Sequence, residues 1–221
     1  PAMTHAPEEA ADFAPIAGAL TVNIGTLSAQ WLDSMKAAAI AVNAAHVPWV
    51  LDPVAHFATP YRGKAAQDLL ALKPAILRGN ASEIIALAGG AGSGKGADSG
   101  DSVNDAQSSA QALAARQDCV VAVSGPVDFI TDGVRSACVT GGSDLMPKVT
   151  ALGCSLTALV GGYAAVVPSL EATVAAFVHF AEAGERAATD ATGPGSFSVA
   201  FLDALHTLKP GDLAETRVSW R

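Results

Sequence analysis

Trp49-Val50-Leu51-Asp52-Pro53 and Ala75-Ile76-Leu77-Arg78-Gly79-Asn80 decide how this chain is read. Each is a short apolar run that stops at a polar group, and each is followed by a longer stretch of helical period. With residues 20–24 and 120–124 they make four short, β-branched runs separated by Ala-rich segments. That alternation is the sequence form of repeated β-α units around a largely parallel sheet.

Outward from these runs the local signals agree. Ser28 is placed to cap a helix running to about Ala45, and Thr59-Pro60 supply an N-cap followed by proline at the first helical position. After Ser124, residues 128–131 and 135–140 flank Asp132-Gly133, a dipeptide that favours a tight hairpin, so an antiparallel edge is expected. From Gly153 onward the pattern predicts helix almost throughout. Pro168 separates two long apolar helices, and Gly193-Pro194-Gly195 separates the second from a last one. No internal repeat or linker interrupts residues 1–221, which reads as one α/β domain with three layers, a mostly parallel central sheet and an antiparallel edge.

Composition narrows the function classes. Half of the 221 residues are apolar, enough for a substantial core. Thirteen Lys and Arg against 21 Asp and Glu give a net charge of −8, which offers no basic surface and argues against nucleic acid and anionic membrane as partners. No uninterrupted apolar run reaches the roughly 18–20 residues of a membrane span. The richest, residues 156–167, is broken by Gly161 and Gly162, and the start lacks the basic and apolar regions of a signal peptide. Cys119, Cys138 and Cys154 are odd in number and lie in apolar or glycine-containing stretches, so a reducing, cytoplasmic setting is expected.

Gly89, Gly94 and Lys95 imitate a phosphate-binding P-loop. Gly96 stands where a magnesium-binding hydroxyl is required, the segment follows a helix rather than a strand, and no helix follows at once, so residues 89–102 read as a surface loop. The five histidines, His5, His46, His56, His179 and His206, show no metal-ligand spacing. Trp31 and Met35, four apart on a helix, read as core contacts or a subunit face.

In a doubly wound sheet ligands bind beyond the carboxyl ends of the strands. Those ends here carry Asp52, then Arg78 with Glu83 five residues on, then Ser124: two carboxylates, a guanidinium and a hydroxyl on one edge. Asp52 and Glu83 are hard oxygen donors suited to magnesium, and Arg78 suits phosphate. Taken singly, Asp52 equally fits a strand-end turn before proline and Glu83 a first-turn carboxylate. Lys148-Val149-Thr150-Ala151-Leu152-Gly153-Cys154 is a loop opening a long apolar helix, and amides at such a terminus form an anion hole. Cys154 there is expected to feel the positive end of the helix, which lowers a thiol's pKa; a cysteine that simply packs is the alternative.

At these residues the chain resembles the hydroxyethylthiazole kinases, ribokinase-like enzymes of thiamine salvage. The resemblance runs through Pro1-Ala2-Met3, Asn23-Ile24-Gly25-Thr26-Leu27, Leu51-Asp52-Pro53-Val54, Arg78-Gly79-Asn80-Ala81-Ser82-Glu83, residues 128–133, Lys148-Val149-Thr150, Gly153-Cys154 and Gly193-Pro194-Gly195-Ser196-Phe197. It implies a ribokinase-like fold and transfer of phosphate from ATP, with Mg2+, to the hydroxyl of 4-methyl-5-(2-hydroxyethyl)thiazole. It assigns Met3 and Ala151 to the thiazole, Arg78 and Ser124 to the nucleotide, Asp52 and Glu83 to magnesium, Ala151, Leu152, Gly153 and Cys154 to the anion hole, and Cys154 to catalysis. It further implies a homotrimer with active sites shared between subunits.

The chain departs from the family pattern at several points. Ala151-Leu152-Gly153-Cys154 replaces Gly-Thr-Gly-Cys, Ser124 replaces threonine, and His56-Phe57 replace small residues. Family members also carry several tens of residues before the segment matching Pro1, including a strand and a helix, so the expected domain lacks these. Two other readings stay open: a kinase of another small alcohol, such as a hydroxymethylpyrimidine or a sugar, and a ligand-binding relative without turnover.

Overall fold

The computed structural model describes residues 2–94 and 99–221. Seven strands form one sheet in chain order. β1 (Leu20–Asn23), β2 (Trp49–Asp52), β3 (Ile76–Asn80) and β4 (Val120–Ser124) are parallel, and β5 (Val127–Thr131), β6 (Ser136–Thr140) and β7 (Val218–Trp220) continue antiparallel. Eight α-helices accompany them among the described residues: α1 (Ala10–Phe13), α2 (Ala29–Ala44), α3 (Pro60–Leu70), α4 (Ala81–Ala88), α5 (Val103–Gln117), α6 (Leu152–Ala164), α7 (Leu170–Ala188) and α8 (Pro194–Thr207).

Period-two alternation along the strands divides the core between the two faces of the sheet. Trp49, Leu51, Leu77, Val121, Val123 and Phe129 pack with α1 to α5. Their immediate neighbours Val50, Ile76, Val120, Ala122 and Ile130 pack with α6, α7 and α8. The result is the expected three-layer α/β/α arrangement, and no helix among the described residues is long and apolar enough to cross a membrane.

The helix starts are where the sequence placed them. Ser28 accepts from Trp31 N and Thr59 from Arg62 N, with Pro60 at the first helical position. The hairpin turn forms at Asp132-Gly133, where Gly133 has φ +91° and a Cβ would stand 2.9 Å from the backbone of Ala115. Glycine is needed there on both counts.

Two expectations are corrected. The tail is not all helical, because residues 218–220 add β7 to the exposed side of β6; only three residues long, it was too short to show a period. β3 does not stop at Leu77, because Arg78, Gly79 and Asn80 pair onward with Ala122, Val123 and Ser124. Polar residues continue that strand because its last turns face a cavity rather than the core. Lys95 and Gly96 of the rejected P-loop lie outside the described residues.

Candidate active site

The parallel strands end level with one another, Asn23 beside Asp52 and Asn80 beside Ser124. Beyond these ends opens a cavity of about 740 Å3. One wall carries Asp52, Arg78, Glu83 and Ser124. Residues of the 141–154 segment line the rest, and Phe177 and Phe180 of α7 add an apolar face.

Asp52 is fully buried. Its Oδ2 accepts from Asn23 Nδ2 at 2.8 Å and from Thr157 Oγ1 at 2.7 Å, and Arg78 Nη1 lies 3.6 Å away. Desolvation outweighs these partners and raises the Asp52 carboxyl above the ordinary range. Arg78, also buried, donates from Nη2 to Ser124 Oγ at 2.6 Å. Among the described residues, Asp52 Oδ1 and Arg78 Nε are the buried side-chain polar atoms with no hydrogen-bond partner. Both belong to this cluster, as expected where a ligand completes the polar set.

Glu83 closes a capping box with Asn80 at the start of α4. Its Oε2 accepts from Asn80 N at 2.8 Å, and its Oε1 accepts from Ala55 N at 2.9 Å. Burial raises the Glu83 carboxyl, and the negative charge of Asp52 adds to the rise. His56 secures the same segment: its buried ring, with Nε2 2.9 Å from Glu83 O, donates to that carbonyl, and desolvation lowers its pKa. The departure at His56 therefore ties this loop to the main chain of Glu83.

Ala151 precedes α6 with φ +64°, a left-handed position that favours glycine. The turn brings Gly153 directly against Arg78: a Cβ at Gly153 would lie 3.0 Å from both Nη1 and Nη2. First-turn amides have no acceptor within their own helix. The guanidinium and the start of α6 thus form one electropositive floor over the buried carboxylates.

Cys154 sits on this floor, but the expected low-pKa thiol is corrected. Burial and the nearby Asp52 carboxylate push the Cys154 thiol up, outweighing a hydrogen bond from Asn23 and the charge of Arg78. It is a neutral thiol at pH 7.

The profile described as the hydroxyethylthiazole kinase family matches residues 1–211. The chain belongs to this family. A hydroxyethylthiazole kinase of Roseobacter denitrificans is 62% identical over 215 residues, covering 97% of this chain and 84% of that protein. One from Rhizobium leguminosarum bv. trifolii is 63% identical over 222 residues, covering 99% and 83%. The solved hydroxyethylthiazole kinase protein of Pyrococcus horikoshii OT3 superposes with a TM-score of 0.89 at 35% identity, covering all of this chain and 83% of that one. The ADP complex of pyridoxal kinase from Staphylococcus aureus, with a TM-score of 0.62 and 19% identity over 81% of this chain and 66% of that one, shares the ribokinase-like fold.

Of the residues singled out in the sequence, Asp52, Arg78, Glu83, Ser124, Ala151, Leu152, Gly153 and Cys154 all line the one cavity. Met3 does not; it is 96% exposed. Sequence reasoning gave no role to Asn23, Thr157 and Asp128. Asn23 ends β1 level with Asp52, so the strand-end rule could have found it. Thr157 lies one helical turn beyond Gly153, and its hydroxyl faces Asp52 only because α6 crosses the sheet there. Asp128 lines the cavity beside Ser124, half-buried, and accepts from Gly125 N at 2.9 Å.

Proposed function

We propose that this chain transfers the γ-phosphoryl group of ATP directly to the hydroxyl of 4-methyl-5-(2-hydroxyethyl)thiazole, a step of thiamine salvage. The observation that carries the reading is the floor made by Arg78 and the first turn of α6, in a chain of this family. The hydroxyethyl oxygen attacks phosphorus, the bond to the β,γ-bridging oxygen breaks, and ADP leaves with the electron pair. Amides of Gly153 and Cys154 hold the equatorial oxygens, and Arg78, itself braced by Ser124, adds positive charge. A loose transition state asks for little prior deprotonation of the acceptor. A neutral Cys154 thiol therefore suffices to orient the hydroxyl, and the proton passes to a phosphate oxygen.

The residues fit magnesium, which needs only one or two carboxylates beside phosphate oxygens. Asp52 supplies the uncommitted Oδ1, and Glu83 adds a second buried carboxylate whose oxygens each keep a lone pair. When bound, the ion neutralises phosphate charge. Ala151 contributes a methyl to the cavity on the thiazole side.

The proposal includes a homotrimer with active sites shared between subunits; Met3, which is exposed and outside the cavity of its own chain, is available to a neighbouring subunit. One ribokinase-like domain over residues 1–221 and a cytoplasmic setting complete the proposal, the latter supported by three cysteines that are all free. The test is magnesium-dependent ADP release from ATP with the thiazole alcohol as acceptor. Release that follows the alcohol supports the reading. Thiazole binding by folded protein without ADP would replace it by a binding role.

A further inference from the structure

Arg217 lies after residue 211, where the match to the family profile ends, and is not part of the cavity lining. We propose that Arg217 is a positioning residue for nucleotide binding, holding the 141–146 turn, one wall of the cavity, against α7. The inference rests on the reading of this cavity as the ATP site.

Arg217 immediately precedes β7, which zips onto β6 through Val218, Ser219 and Trp220. Its guanidinium is largely buried and fully engaged. Nε and Nη2 donate to Glu182 Oε2 at 3.0 and 2.7 Å, Nη2 donates to Glu185 Oε2 at 2.6 Å, and Nη1 donates to Glu185 Oε1 at 2.7 Å. Both glutamates stand on α7. Nη1 also reaches Thr140 O at 3.5 Å, at the point where β6 leaves the sheet and the cavity wall begins. Charge-assisted, forked bonds of this kind fix direction as well as distance.

The turn next to this clamp is built for close approach. Gly141 and Gly142 both have positive φ, +126° and +89°. A Cβ on Gly141 would collide with Arg217 Nη1 and stand 3.0 Å from Glu185 Oε1. A Cβ on Gly184 of α7 would lie 3.2 Å from Gly142 Cα and 2.6 Å from Met146 Sδ. Gly142 also donates a main-chain bond to Glu185. Backbone, guanidinium and α7 are thus in direct contact, and the other side of the same turn faces the cavity. Releasing Arg217 frees this wall, whereas Asp52, Glu83 and Cys154 have their own partners on other elements.

The experiment uses Arg217→Met, which keeps the aliphatic stem, with Arg217→Lys and Glu185→Gln. Binding of the non-hydrolysable analogue AMP-PNP is measured by calorimetry, beside KM for ATP, KM for the thiazole alcohol, kcat and thermal unfolding. For Arg217→Met the expected result is an increase of about five- to thirty-fold in Kd for AMP-PNP and in KM for ATP. KM for the thiazole and kcat at saturating ATP stay within about two-fold, on the same argument that the clamp acts on one wall only. Arg217→Lys and Glu185→Gln, each retaining an ion pair, fall between and serve if the methionine variant fails to fold. Unchanged nucleotide affinity in folded variants overturns the proposal, as does a loss of stability in which every kinetic constant moves together. Folded wild-type protein that binds no AMP-PNP would instead refute the ATP-site reading, and this inference with it.

Discussion

Gly153→Ala tests whether Arg78 and the first turn of α6 act as one surface. The added methyl would stand 3.0 Å from Nη1 and Nη2 of Arg78 and 3.4 Å from its Cζ, inside the contact distance of about 3.5–4.0 Å. Relief requires a shift of roughly 0.5 Å, the shortfall from that distance. The guanidinium has little room to give, being held at 2.6 Å by Ser124 Oγ and facing Asp52 at 3.6 Å. Two stability effects oppose each other: alanine gains up to about 1 kcal/mol of helix propensity, and overpacking costs about 1–3 kcal/mol. The net change in unfolding free energy is therefore small, within about 2 kcal/mol. Catalysis has no such compensation. A misplacement of about 1 Å costs on the order of 100-fold, so half that shift is expected to lower kcat/KM for ATP by about 10-fold, or ~1.4 kcal/mol of transition-state stabilisation. Steady-state ADP release and urea unfolding on the same preparation separate the two. If kcat/KM stays within two-fold of wild type, Arg78 and α6 do not share a ligand and the reasoning fails.

Three further outcomes follow from the same geometry. Ala151→Gly removes a left-handed alanine at φ +64° and is expected to stabilise the protein by about 1 kcal/mol in urea unfolding; no gain would mean the alanine is unstrained. Cys154 is the one cysteine with appreciable exposure, and its raised pKa predicts slow iodoacetamide alkylation at pH 7 that accelerates only above the ordinary thiol range; rapid labelling at pH 7, lost in Cys154→Ala, would contradict this. Asp52 is raised in the folded state by burial, so its contribution to stability is most favourable below its unfolded pKa of about 4 and declines as pH rises toward the raised value. The unfolding free energy of Asp52→Asn relative to wild type should therefore improve from pH 4 to pH 7 while turnover is lost, and a flat difference would show that Asp52 titrates normally.

Within the parallel half of the sheet, β2 and β4 were legible because they are buried on both faces, so residues 49–52 and 120–124 advertise themselves as short apolar runs. Their ends were legible for the same reason: a polar residue closing such a run has to face something other than core. What the sequence hid depends on elements meeting from far apart. Thr157 reaches Asp52 across 105 positions and Arg217 reaches Glu182 across 35, and neither pair has a local spacing to betray it. The pKa of Cys154 was misread because position on a helix suggested one dominant field, whereas burial and the Asp52 carboxylate, both tertiary, outweigh it.

The arrangement around Asp52 also explains why a costly cluster is kept. A buried carboxylate with one unpaired oxygen opposes folding, and removing a single partner from such a group costs about 3–5 kcal/mol. Asn23 and Thr157, from two different elements, donate to Oδ2, and Arg78 from a third faces the same oxygen at 3.6 Å, leaving Oδ1 bare. The desolvation that raises Asp52 and Glu83 is the same desolvation that strengthens every interaction with a phosphate or cation entering the cavity. Folding thus assembles a charge arrangement that is unsatisfied by itself and is completed by ligand, so that binding relieves strain already built into the apo protein rather than creating it. Preorganisation of this kind places the chemistry at the strand ends, where the polar groups are already in position before a ligand arrives.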